Sequence, residues 1–202
     1  DAKGFRMNEK KAALLLGVTS VLTLATVGFL GYRMVGMTQI PSQEELAKQA
    51  KASRQVTTET AQAGIDALLK MTLPDLQGAP QALAQWNGKI RVINYWATWC
   101  PPCVEEMPFF SRLQERYAAQ GVQFVGIGMD ETAKMQAFVQ KTPVSYPLLV
   151  GGTESNGNPA LTLRGMPYTV VLDREGKVAF SIYGGVKENE LEPVLSRLAD
   201  AR

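Results

Sequence analysis

Cys100 and Cys103 are the only cysteines of the chain, and they stand in the run Trp99-Cys100-Pro101-Pro102-Cys103. Two cysteines three residues apart cannot staple distant parts of a fold, so their value must be chemical. One chemistry is metal binding, the other is redox exchange. A tetrahedral zinc site needs four ligands, and the chain has no histidine and no further cysteine to complete one. The same lack of histidine removes Ser/His/Asp and Cys/His catalysis. Reversible disulfide chemistry remains, because the CxxC spacing brings two sulfurs within bonding range without moving the backbone.

That chemistry depends on the elements around the cysteines. The apolar run IRVINYWA, residues 90–97, follows an Asn87-Gly88 turn and predicts a strand. Residues 102–119 predict a helix, with Met107, Phe110, Leu113 and Tyr117 at helical spacing. The cysteines therefore fall at a strand-to-helix junction, with Cys100 at the helix N-terminus. Unbonded N–H groups and the helix dipole stabilise a thiolate there, which makes Cys100 the attacking sulfur. Cys103, one turn further in, is placed to attack the resulting mixed disulfide and release the product. Further strands are expected at 122–129, 148–150, 169–172 and 178–183, and further helices at 132–141 and 188–198. The turn Asp173-Arg174-Glu175-Gly176 makes the last two strands an antiparallel hairpin. The pattern is an α/β domain over residues 70–202 with a central mixed sheet and a right-handed crossover.

The chain ahead of that domain has a different composition. Lys3, Arg6, Lys10 and Lys11 stand against Asp1 and Glu9, which accounts for the whole net charge of +2 among the 202 residues. A basic tip on an otherwise balanced chain is not the basic face of a nucleic-acid binder. Residues 1–11 form a cytoplasmic N-terminus, and residues 1–6, ahead of Met7, have the character of a cloning remnant. Residues 12–32 carry no charge and are long enough to cross the roughly 30 Å hydrocarbon core, which predicts one transmembrane anchor. A cleaved signal peptide is the closest rival, but its apolar region is shorter and ends in small residues, whereas this run ends in Gly31, Tyr32 and Arg33. The basic residues before the span orient the N-terminus in the cytoplasm and the remainder outside it, as a single-pass protein of the inner membrane. Residues 33–69 read as a polar, partly helical linker. Within it Pro41, Ser42 and Glu45 spell a capping box that starts a helix near Gln43 and carries it into the fifties.

The stretch NYWATWCPPCVEEMP, residues 94–108, resembles the active-site region of the TlpA/ResA-type thioredoxin-like proteins, which are membrane-tethered thiol-disulfide oxidoreductases. GMPYTVVLD, residues 165–173, is similar to that family's second signature, and the resemblance runs from about Leu73 to the C-terminus. It implies a thioredoxin-like fold with the family's mid-domain insertion over residues 132–163. It also implies a cis peptide before Pro167, facing the cysteines, and a Met166 backbone that pairs with the substrate chain as an added strand. Trp99 would stand beside the exposed sulfur. Glu106 would be a partly buried carboxylate exchanging protons with the site, while Glu105 points to solvent. Asn94 stands where thioredoxin has a buried aspartate, which shifts the proton-handling role to Glu106. The resemblance brings no cofactor; its partners are disulfide-containing proteins and a membrane electron donor of the DsbD/CcdA type. Cytochrome c maturation and copper-site assembly are the settings it implies.

Rival activities fit less well. Thiol peroxidases of this fold need a threonine three residues before the reactive cysteine, and Ala97 holds that position. A Cu(I) chaperone of this fold uses a CxxxC and a distant histidine, and both are missing. A disulfide oxidase or isomerase is the nearer alternative. Against it, the two residues between the cysteines are prolines, which offer Cys100 no N–H, so the sequence predicts a reductant.

Overall fold

The computed structural model describes residues 42–46, 48, 58–152 and 163–201. The chain divides into two units, Asp1–Lys48 and Gln49–Arg202. In the first, the Glu45 amide donates to Ser42 Oγ at 3.1 Å and the Ser42 amide to Glu45 Oε2 at 2.8 Å, the reciprocal capping box expected from the sequence. Residues 43–46 and 48 are helical. The expected anchor at 12–32 and the helix's continuation into the fifties lie outside the described residues. Among the described residues no helix is long and apolar enough to cross a membrane.

In chain order the second unit builds α1 (Thr58–Leu68), β1 (Thr72–Pro74), β2 (Pro80–Ala82), β3 (Ile90–Trp96), α2 (Pro101–Tyr117), β4 (Val122–Gly128), α3 (Thr132–Lys141), β5 (Leu148–Val150), β6 (Tyr168–Leu172), β7 (Val178–Tyr183) and α4 (Glu188–Asp200). β3 is buried at all seven positions, so it needs cover on both faces and belongs at the centre of a sheet. The order is β5-β4-β3-β6-β7. β3 runs parallel to β4 and antiparallel to β6, with Tyr95 opposite Tyr168, and β6 and β7 form the expected hairpin. This is the thioredoxin-like mixed sheet.

One face of the sheet is covered by α2, α3 and α4. Val92, Trp96, Phe124, Val171 and Ile182 from the strands meet Phe110 and Leu113 of α2, Met135 of α3 and Leu191 and Leu195 of α4. α3 lies so close to β4 that a Cβ on Gly128 would collide with the Met135 sulfur.

The opposite face departs from the sequence reading. Residues 58–68, which by composition belong to the linker, form α1 and bury Ala61, Ile65 and Leu68 with Ile93, Val170, Leu172 and Val178. Three apolar side chains at i, i+4 and i+7 are a thin stripe, yet full burial of one Ile or Leu contributes roughly 1.5–3 kcal/mol once a sheet face receives it. Gln62 adds polar pairing, donating from Nε2 to the Gly176 carbonyl at 3.0 Å and accepting the Val178 amide at 2.8 Å, which covers the start of the β7 edge. The packed domain thus begins ahead of residue 70. The β1–β2 hairpin and the 3₁₀ turn Leu83–Trp86 complete this face, burying Leu73, Leu83 and Trp86.

Candidate active site

The site forms where β3 hands over to α2, at the C-terminal ends of the parallel strands, where open α/β sheets place their ligands. After Trp96 the chain makes a tight turn, closed by the Cys100 amide donating to the Ala97 carbonyl at 3.2 Å. Cys100 is the N-cap of α2, with Pro101 and Pro102 in the first two helical positions. Proline suits those positions because its fixed φ is helical and its missing N–H would have had no intrahelical acceptor. Cys103 therefore supplies the first amide of the helix. The next, from Val104, already donates to the Cys100 carbonyl at 3.2 Å.

The two sulfurs are joined in a disulfide of 2.04 Å across a Cα–Cα distance of 5.3 Å. Cys100 is 4% exposed and Cys103 fully buried, the order the helix positions predict. Both belong to the apolar cluster that holds Trp96, Met107 and Val186, and Met166 packs against it. Trp99 is 64% exposed and takes no part in the core. The Met166–Pro167 peptide is cis, as the resemblance implies, and the Pro167 carbonyl accepts the Gly184 amide at 2.7 Å.

Glu106 is 2% exposed, more deeply buried than expected, whereas Glu105 is exposed. The Val186 amide donates to its Oε1, and the Asn94 side-chain amide faces its Oε2 at 3.5 Å while donating to Thr169 Oγ1 at 3.0 Å. Among the described residues Asn94 Oδ1 has no hydrogen-bond partner. Burial, and next the negative charge of Glu106, push the Tyr146 hydroxyl well above its ordinary range. An open pocket of about 370 Å³ reaches Glu106 between Pro102, Phe109, Gly185 and Val186. Gly185 lies alongside: a Cβ there would stand in ordinary van der Waals contact, 3.6 Å from Glu106 Oε1 and 3.7 Å from Pro102 Cβ.

The structure thus brings Cys100, Cys103 and Met166 into one cluster, sets Glu106 one turn beyond Cys103, and leaves Trp99 on the surface. It adds residues that the sequence reading does not single out: Thr169 and Val186 around Glu106, and Asp130 just past the end of β4, whose carboxylate accepts the Thr98 amide and hydroxyl. Asp130 had one signal in the sequence, its place directly after a predicted parallel strand.

A disulfide at a helix N-terminus, in an apolar cluster against which Met166 of the cis-proline loop packs, and one turn before a buried carboxylate, is an arrangement for exchanging disulfides. The family model described as Redoxin matches residues 48–196. The chain belongs to the redoxin family. This redoxin is 31% identical over 126 residues to the thiol-disulfide oxidoreductase ResA of Bacillus cereus, covering 61% of this chain and 72% of that protein. It is 32% identical over 133 residues to the ResA of Halalkalibacterium halodurans, covering 65% and 74%. Among solved structures it is similar to a secreted Mycobacterium tuberculosis disulfide oxidoreductase homologous to E. coli DsbE, with a TM-score of 0.57 at 28% identity over 66% of this chain and 99% of that one. It is a thioredoxin-fold thiol-disulfide oxidoreductase of the ResA/DsbE type, and Cys100 and Cys103 are the disulfide-bonded pair of its CxxC motif.

Proposed function

We propose that this redoxin is a membrane-tethered reductant that opens disulfides of selected proteins on the extracytoplasmic face of the inner membrane. The observation that carries the direction is the N-terminus of α2. With Pro101 and Pro102 in its first two positions and the Val104 amide already bonded, Cys103 offers the one amide of that turn that can turn to the Cys100 sulfur. No histidine adds positive charge. Strong oxidants of this fold owe their potential to a well-stabilised thiolate, so a weakly stabilised one moves the balance toward reduction of the substrate. The expected potential is about −200 to −270 mV, the range of glutaredoxin and thioredoxin, rather than the −120 mV of DsbA. A redox equilibrium of the full chain against glutathione measures it. A value above about −150 mV overturns this reading in favour of an oxidase or isomerase.

In the cycle, the Cys100 thiolate attacks one sulfur of the substrate disulfide and expels the other as a thiolate. Cys103 then attacks Cys100, releases the second substrate thiol and leaves the Cys100–Cys103 disulfide. Two electrons must return for the next turnover, and an oxidising compartment does not supply them, so a membrane donor of the DsbD/CcdA type completes the cycle. Substrates of fitting chemistry are cysteine pairs that must be reduced before haem or copper is inserted, as in cytochrome c maturation.

Lys10 and Lys11 before the uncharged run 12–32, against Arg33 alone just after it, support the tether and its direction. A reporter that works only outside the cytoplasm, fused after Arg202, is expected to be active. An inactive fusion, with the domain protected from protease in spheroplasts, sinks the topology.

A further inference from the structure

Asp130 is 4% exposed and lies two residues past the end of β4, just after Met129, whose amide donates to the Trp96 carbonyl at 2.8 Å. Its Oδ2 accepts both the amide of Thr98, at 3.1 Å, and the Thr98 hydroxyl, and its Oδ1 accepts the Glu131 amide at 2.8 Å. Burial opposes ionisation of this carboxyl. The hydrogen bonds from Thr98 and Glu131, with the charge of Lys134 behind them, outweigh that and hold it below the usual carboxylate range. It is an ionised acceptor, and such hydrogen bonds are the strong ones.

Thr98 stands two residues before Cys100, inside the turn that the Cys100 amide closes on Ala97. Besides its own Cys100–Ala97 hydrogen bond and the Val104 amide on the Cys100 carbonyl, this turn is held in the disulfide form by the Cys100–Cys103 bond and by Asp130. In the dithiol form the covalent restraint is gone, and Pro101 and Pro102 have no amide with which to hold the chain. We propose that Asp130, acting through Thr98, is a positioning residue that keeps the Ala97–Cys100 turn in place when the pair is reduced, so that Cys100 stays at the N-terminus of α2. The clamp then supports the dithiol form more than the disulfide form, in which the covalent bond makes it redundant.

The test compares the parent chain with Thr98→Val, which removes the hydroxyl without changing charge, with Thr98→Ser, with Asp130→Asn and with the Thr98→Val/Asp130→Asn double variant. Each is equilibrated with glutathione, and each redox form is unfolded in urea. Thr98→Val and Asp130→Asn are each expected to move the exchange constant about tenfold toward the disulfide, which is about 30 mV for a two-electron couple. The double variant should move no further than the larger single, because both break one clamp. Thr98→Ser, which keeps the hydroxyl, should stay within about twofold of the parent. Equal stability losses in both redox forms with an unchanged exchange constant would reduce the clamp to ordinary structure and overturn the proposal. A shift toward the dithiol in Asp130→Asn with none in Thr98→Val would overturn it too, by assigning the effect to charge. The parent's absolute potential tests the reductant reading, and the differences between variants test the clamp, so either can fail alone.

Discussion

Cys103→Ser is expected to accumulate a covalent adduct with substrate protein, visible in gels run without reductant, whereas Cys100→Ser accumulates none and both variants lose multiple turnover. The argument rests on place along α2. Cys100 is the N-cap, at the positive end of the helix dipole and at the edge of the apolar cluster, while Cys103 is one turn inside and fully buried. A substrate disulfide therefore reaches Cys100 first and forms its mixed disulfide there. Resolution needs a second thiol within bonding range, and the 5.3 Å Cα–Cα separation places Cys103 there. With serine at 103 the adduct has no internal route of release, so it persists until an external thiol attacks it. With serine at 100 the remaining thiol is out of reach of a protein-sized substrate. An adduct that forms on Cys100→Ser but not on Cys103→Ser would reverse the two roles.

The elements that carry this chemistry were largely legible in the sequence, and the reason is local. β3, β4, β5 and β7 are short apolar runs bounded by turns, and α2 repeats its apolar residues at helical spacing, so each announces itself without its neighbours. The cis peptide at Pro167 followed from the GMP signature, which no periodicity would have given. What escaped was whatever depends on another element for its meaning. In α1 the residues Ala61, Ile65 and Leu68 look too few for a core helix until the uncovered face of β3, β6 and β7 is there to receive them. β1 and β2 are three residues each and have no period to detect. The depth of Glu106 depends on the loop after β7, where the Val186 amide bonds its carboxylate and Gly185 lies alongside, a contact that α2's own sequence does not announce. The link between Thr98 and Asp130 joins positions 32 residues apart and needs β3 and β4 side by side in register before it can be seen.

Glu106→Gln is expected to move the pH profile of Cys100 alkylation to lower pH and to raise the potential of the pair. An ionised carboxylate one turn beyond Cys103 repels the negative charge that a thiolate brings, so it disfavours the form that attacks and the reduced state that contains it. Glutamine removes that repulsion and keeps the shape. It retains an acceptor for the Val186 amide, and Asn94, whose Oδ1 is unpartnered among the described residues, can turn its oxygen toward the new amide group. Loss of the buried acceptor altogether is a different change. Glu106→Ala strands the Val186 amide, at a cost of about 1–3 kcal/mol in unfolding free energy. The two variants therefore separate the tasks of this side chain: the glutamine variant reports on proton chemistry with the hydrogen-bonding shape preserved, and the alanine variant reports on the fold. Alkylation rates measured on the reduced chain across pH, with urea unfolding beside them, give both readouts. If the glutamine profile overlays that of the parent, the carboxylate acts only as a buried acceptor for the loop after β7, and control of thiol protonation must be sought in the Asp130 clamp and the prolines of α2.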